Sequence, residues 1–268
     1  MVSKYSFPPP DASVKTEDKT IEDGLKIRIY TPEDYKGGKP VGVYYHGGGW
    51  AMGDIDGDDP FCRAISKGGD VVVVSVGYGL APQNKHPGLI NDCYKGLQWT
   101  LKNAKALGGA DGKFFTAGTS AGGQLALGLA LKAIDEGLGN ALVGVVALVP
   151  ATVHPKGVPE ELKPRWTSYK EHAEHTINTA SAMECFWGKW GSARERNPTN
   201  SVPDAFGGPP TDPYVSPLLH GKLNALKKVY MAVAGQDTLR DDGLLFKEKL
   251  EENKYAFLSG IPRNSDTF

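Results

Sequence analysis

Gly118-Thr119-Ser120-Ala121-Gly122 sets a serine between small residues, with a glycine two places before it and another two places after. A G-x-S-x-G serine can attack a carbonyl when a tight strand-to-helix turn lifts its oxygen clear of the main chain. Gly118, Gly122 and Gly123 are the small neighbours that such a turn requires. The plainer alternative is a glycine-rich turn without chemistry. A second stretch, His46-Gly47-Gly48-Gly49-Trp50, runs three glycines together. Successive glycines let main-chain N–H groups turn inward and approach a ligand closely. Such donors can hold the negative oxygen formed during attack on a carbonyl, each lowering the barrier by about 3 kcal/mol. A flexible hairpin or a phosphate loop would compete for this motif, but the G-K-[ST] ending of a phosphate loop is missing.

These residues need a scaffold, and the chain is long enough to supply one. Its 268 residues suit a single α/β domain spanning 1–268, with 40% apolar and 23% charged residues. Thirty basic against 31 acidic side chains leave a net charge of −1, too little overall field to hold nucleic acid or an anionic membrane. Cys62, Cys93 and Cys185 lack C-x-x-C spacing, so neither a disulfide framework nor a structural zinc site is expected. The apolar runs at Val71–Val76 and Leu142–Val153 are shorter than a membrane span of about 20 residues. Residues Met1–Pro10 lack a signal-peptide pattern. The expectation is a cytoplasmic protein without a metal or cofactor and without membrane insertion.

Strand patterns occur at Ser13–Ile21, Leu25–Tyr30, Val41–His46, Val71–Tyr78, Lys113–Thr119, Val143–Val149 and Lys228–Ala234. Helical patterns occur at Pro87–Ala106, Ala121–Ile134 and Asp241–Asn253. This alternation predicts a mostly parallel central sheet with helices on both faces. Residues 151–213 break the rhythm with proline, tryptophan and charge, and read as a cap insertion with one helix at Tyr169–Trp190 and a loop at Asn197–Pro213. Lys254–Leu258 reads as a last strand.

The two motifs together resemble the α/β-hydrolase superfamily, in its hormone-sensitive-lipase-like esterase branch. Asp59–Ala64, Pro213–Leu218 and Ala234–Gly243 resemble other segments of that branch. Tyr78-Gly79-Leu80-Ala81-Pro82-Gln83 resembles its Y-R-L-A-P-E, with Gly79 and Gln83 as departures. The resemblance runs from about residue 19 to residue 253 and is nearest to fungal secondary-metabolite esterases such as the versiconal hemiacetal acetate esterases. It implies an ester hydrolase with a small-molecule ester substrate, short-chain or aromatic. Ser120 would be the nucleophile and Asp237 the acid that orients a histidine. Gly47, Gly48, Gly49 and the Ala121 N–H would build the oxyanion hole, with Gly47 enabling its turn. Asp241 and Asp242 would start the next helix, where carboxylates suit the dipole.

The family's base should follow Asp237, yet all six histidines precede it: His46, His86, His154, His172, His175 and His220. His46 comes too early for the chain order Ser, Asp, His and reads as a positional residue. In Leu258-Ser259-Gly260-Ile261-Pro262-Arg263, Arg263 stands at the expected histidine position, and a guanidinium cannot accept the serine proton. The resemblance therefore implies an impaired enzyme with a truncated or altered C-terminal end. It equally allows an enzyme that recruits His154, His172, His175 or His220, or a non-catalytic small-molecule binder like the gibberellin receptors of this branch. Glu171-His172-Ala173-Glu174-His175 reads as an exposed charged face in preference to a metal site. Asp54–Asp59 starts like a calcium loop but lacks its later residues. Phe186, Trp187 and Trp190 would either wall an acyl pocket or pack as the apolar stripe of a helix.

Overall fold

The computed structural model describes residues 9–174, 178–188 and 206–252. A hairpin opens the sheet: Val14–Thr20 (β1) lies antiparallel to Lys26–Pro32 (β2). The positive φ of Asp23 and Gly24 turns the chain between them. β1 is an edge strand, exposed throughout apart from Val14 and rich in Lys, Glu and Asp, which discourages pairing with another chain. β2 then pairs antiparallel with Val73–Gly77 (β4).

The remaining strands are parallel. Val41–Tyr45 (β3) lies between β4 and Phe114–Thr119 (β5), followed by Leu142–Leu148 (β6) and Val229–Ala232 (β7). The seven-stranded order is β1-β2-β4-β3-β5-β6-β7. Central strands are buried on both faces, which is why β3 and β4 read as continuous apolar runs instead of alternating ones.

Helices cover both faces. Asp59–Gly69 (α1) packs on the side holding Tyr30, Tyr44, Val73 and Ala117. Gly88–Asn103 (α2) and Ala121–Asp135 (α3) pack on the side holding Ile27, Val43, Tyr45 and Val76. Adjacent tyrosines thus enter opposite layers, as strand alternation demands. Almost every residue of α3 is buried, matching its Ala, Leu and Gly composition.

One expected element is divided. In place of a single helix over Tyr169–Trp190 there are two short ones, Ser168–Glu171 (α4) and Ala180–Trp187 (α5). Thr179 is the reason: its backbone is extended and its side chain accepts the Ala182 N–H, so it starts a new helix. His175, Trp190, Arg263 and the expected strand Lys254–Leu258 lie outside the described residues. The last described helix, Arg240–Glu252 (α6), matches its sequence pattern within a residue.

The junction of β3, β5 and α3 leaves no free space. A Cβ on Gly122 would sit 2.0 Å from the Tyr45 carbonyl oxygen, and one on Gly118 would sit 2.1 Å from the Gly122 carbonyl oxygen. Gly122→Ala is expected to lower unfolding free energy by about 3 kcal/mol or more, by overpacking against main chain that cannot yield. Gly57→Ala, with no atom closer than 3.7 Å, should change it by less than about 0.5 kcal/mol. Urea unfolding of both variants measures the contrast.

Candidate active site

Sheet register brings the two glycine motifs together. Tyr45 pairs with Gly118 across β3 and β5, so the residues that follow each strand emerge side by side. A Cβ on Gly47 would lie 3.1 Å from the Thr119 carbonyl oxygen and 3.7 Å from the Ser120 Cβ. Thr119 pairs with Leu148, and Leu148 with Ala232, which carries the row to the end of β7. Strands lie about 4.8 Å apart, so the ends of β5 and β7 are separated by about 10 Å. Asp237 follows β7 on that side.

Ser120 sits at the turn between β5 and α3 with φ 55° and ψ −117°, a strained conformation for a residue with a side chain. Its N–H donates to the Leu148 carbonyl at 2.8 Å, and its carbonyl accepts the Gln124 N–H at 3.0 Å. Both ends are therefore held while the hydroxyl is not: among the described residues, Ser120 Oγ has no hydrogen-bond partner.

Three nearby N–H groups are also uncommitted. Among the described residues, the N–H groups of Gly48, Gly49 and Ala121 have no acceptor. Gly48 and Gly49 have φ of 113° and 58°, conformations that suit glycine. Gly47, expected to enable the turn of this loop, is bonded differently. Its N–H donates to Asp58 Oδ2 at 3.0 Å and so is spent away from Ser120. What Gly47 contributes is the close approach of its backbone to Thr119.

Asp237 is buried, and its Oδ1 accepts the Leu239 N–H at 3.0 Å and the Thr238 hydroxyl at 3.2 Å. Among the described residues, its Oδ2 accepts no hydrogen bond. The described histidines are employed elsewhere. The His46 ring stacks on Tyr78 at 4.2 Å, and burial lowers its pKa. His154 Nδ1 accepts the Lys156 N–H, and burial lowers that imidazole to about 4. His172 Nε2 faces the Arg240 guanidinium at 2.9 Å. His220 Nε2 lies 2.9 Å from Asp135 at the far end of α3, about 22 Å from Ser120 at 1.5 Å of helix rise per residue. His86 faces Asp212.

An aromatic wall stands above the glycines. Trp50 stacks on Phe206 at 4.6 Å, leans on Trp187 at 4.3 Å, and donates its Nε1–H to Gln124 Oε1 at 3.0 Å. Trp187 is buried, whereas Phe186 points the other way: a Cβ on Gly49 would meet its ring at 2.4 Å. Both rings pack on the core, Trp187 buried and Phe186 at its margin beside the glycine loop. In the acidic run Asp54–Asp59 the carboxylates are taken by protein groups. Asp54 accepts the Asp56 and Gly57 N–H groups, Asp56 pairs with Arg28, and Asp59 pairs with Arg63. Among the described residues, no cluster of His, Cys, Asp and Glu is arranged to hold a metal. No helix among them is long and apolar enough to cross a membrane.

Residues 42–257 match the protein family described as alpha/beta hydrolase fold. The chain is 43% identical over 272 residues to the versiconal hemiacetal acetate esterase of Aspergillus parasiticus, covering all of this chain and 80% of that one. It is also 43% identical to the FAD-linked oxidoreductase pytB of Aspergillus terreus, where it spans 30% of that protein's length. Among solved structures, vibralactone cyclase superposes with a TM-score of 0.79 at 30% identity, over 94% of this chain and 72% of that one.

Sequence reasoning missed how the loop after Asp237 is fastened. Asp241 and Asp242 do open α6, but their carboxylates serve the segment after β6. Asp241 Oδ2 accepts the N–H groups of Thr167 and Ser168 at 2.6 and 2.7 Å, which caps α4. Burial pushes this carboxyl upward, but Arg240 and those two N–H groups hold it below its usual range. Asp242 accepts from Thr152 N at 3.0 Å, Val153 N at 3.3 Å and Trp166 Nε1 at 2.9 Å. Full burial raises it to about 7, against the pull of those donors. The consecutive pair Asp241-Asp242 was legible as acidic, but its partners lie more than 70 residues away in the chain.

Because Asp242 holds its proton more tightly when folded than at the unfolded value of about 3.9, its protonation stabilises the fold fully below pH 4. That contribution is lost as pH rises to about 7. Asp242→Asn should therefore flatten the fall in stability between pH 4 and 7 relative to the unsubstituted chain. Urea midpoints collected at several pH values test it; parallel curves would show that Asp242 titrates normally.

Proposed function

The chain belongs to the α/β-hydrolase family, and from that premise we propose that it is a carboxylic ester hydrolase whose nucleophile is Ser120. One observation carries the reading: an unpartnered serine hydroxyl on a strained turn, beside three unspent main-chain N–H groups. A site built only for stability would not leave four polar groups unused at one place.

In this mechanism Ser120 Oγ attacks the carbonyl carbon of a small-molecule ester as a base removes its proton. The carbonyl oxygen becomes an oxyanion, which takes hydrogen bonds from the N–H groups of Gly48, Gly49 and Ala121. Collapse of the tetrahedral intermediate breaks the bond to the alkoxy group, and the alcohol leaves with a proton. Water then attacks the acyl-enzyme, releasing the carboxylic acid and restoring Ser120. Asp237, with one oxygen unspent, suits the orientation of an imidazole. Residues 151–213 act as a cap, and Phe186 above Gly49 favours flat acyl or aryl groups. The esterase relative from Aspergillus parasiticus supports ester chemistry. The three unbridged cysteines suit a reducing cytoplasm.

The proton acceptor is the open element. Residues 238–268 contain no histidine, and Arg263 occupies the expected position. Turnover by this chain should accordingly be low, on the order of 10³–10⁴ above water, which the oxyanion hole and binding supply without a complete triad. An arginine at position 263, which cannot accept the serine proton, also favours a second reading, a small-molecule binder on an esterase scaffold.

Hydrolysis of p-nitrophenyl acetate and labelling by a fluorophosphonate probe separate these readings. The enzyme reading expects labelling of Ser120, its loss in Ser120→Ala, and turnover at least about tenfold above that variant. Equal rates in both proteins would remove Ser120 from the mechanism. Arg263→His should raise turnover by about 100-fold or more if that side chain reaches Asp237. Saturable ester binding without labelling would favour the binder.

A further inference from the structure

We propose that Asp58 is a positioning residue that holds the oxyanion loop and the nucleophile turn in register from behind. The inference rests on the reading of Ser120 and the glycine loop given above.

Asp58 occupies the N-cap place of α1, yet its side chain makes no cap bond. It reaches instead toward β3. One oxygen, Oδ2, accepts both the Gly47 N–H at 3.0 Å and the Tyr44 hydroxyl at 2.9 Å. The Tyr44 oxygen lies 2.8 Å from Thr119 Oγ1. A carboxylate only accepts, so the Tyr44 proton is spent on Asp58 and Thr119 must donate to Tyr44. Thr119 immediately precedes Ser120. A chain of hydrogen bonds therefore runs from the glycine loop, through Asp58 and Tyr44, to the residue before the nucleophile. Tyr44 is fully buried, and burial first, then the charge of Asp58, holds its hydroxyl protonated.

The bond to Gly47 decides where the next donors point. Fixing that N–H on Asp58 sets the His46–Gly47 peptide plane, and with it the direction in which the chain enters Gly48 and Gly49. Without Asp58, the Gly47 N–H would be free to rotate toward the ester and the loop would lose its alternation. The charge itself opposes a nearby oxyanion, so the useful property is the shared acceptor oxygen. Asparagine retains such an oxygen without the charge.

Asp58→Ala, Asp58→Asn and Tyr44→Phe test this. Asp58→Ala should slow fluorophosphonate labelling of Ser120 and kcat for p-nitrophenyl acetate by about 10- to 100-fold, with KM within about twofold, as expected for donors displaced by a fraction of an ångström. Asp58→Asn should recover most of that loss, which mere loss of a structural contact would not separate from KM. Tyr44→Phe, which keeps the ring in the core, should slow labelling by about three- to tenfold. A folded Asp58→Ala or Tyr44→Phe variant that labels at the unsubstituted rate would overturn the proposal. Amide hydrogen exchange at Gly47 provides an arm independent of chemistry: Asp58→Ala should speed it about tenfold or more, and Asp58→Asn much less. Should the unsubstituted chain neither label nor hydrolyse, the reading of Ser120 fails, and this exchange still decides Asp58. Unchanged exchange at Gly47 in Asp58→Ala, or in Asp58→Leu should the alanine variant not fold, would overturn it.

Discussion

The Tyr45 carbonyl at the end of β3 and the first turn of α3 meet main chain to main chain, and the rest of the site depends on that contact. At Gly122 a Cβ would come within 2.0 Å of that carbonyl oxygen, so helix and strand touch with nothing between them. This contact sets the height of Ser120 relative to the glycine loop. It also explains why the turn can be held in a positive-φ conformation that costs about 1–3 kcal/mol at a residue with a side chain. The surrounding main chain over-determines it: Leu148 accepts the Ser120 N–H, and the start of α3 takes up the Ser120 carbonyl. Interiors packed to this density do not relax gradually, so the geometry is kept or lost as a unit.

Around that contact the site is assembled from two sides. From below, α1 contributes Asp58, which joins the glycine loop to β5 through Tyr44. From above, the segment after β6 is fastened to the loop after β7 by Asp241 and Asp242, which together satisfy backbone N–H groups at Thr152, Val153, Thr167 and Ser168. Ser168 Oγ returns a bond to the Thr238 carbonyl, one residue beyond Asp237. The carboxylate proposed to orient a base thus sits beside the attachment that fixes the segment after β6. Aromatic packing of Trp50, Trp187 and Phe206 joins the glycine loop to α5 and the segment after it.

Much of this was legible in the chain because it depends on local pattern. Continuous valine runs marked central strands, the alanine- and leucine-rich stretch after Ser120 marked a helix buried along its length, and small residues flanked the turn that needed them. The helix expected across Tyr169–Trp190 was misjudged because apolar spacing ran on past Thr179, and the capping chemistry of that threonine outweighed it. Type alone does not show how the N–H groups of Gly47, Gly48 and Gly49 are bonded. Only the carboxylate of Asp58, in another element, separates them. His220 could be weighed as a remote base until its place at the far end of α3 was known.

What the sequence determined by itself was chemical inventory and local conformation: a serine in a turn of small residues, a run of main-chain donors without side chains, an acid beyond the last parallel strand, and no histidine in residues 238–268. Tertiary structure alone decided which of those groups are free. A hydrogen-bonding group is committed or available according to what lies within about 3 Å of it, and its neighbours at that range come from strands and helices tens of residues distant. Gly47 N–H is spent because the start of α1 brings the Asp58 carboxylate within 3.0 Å of it, a neighbour eleven residues on that no local pattern announces.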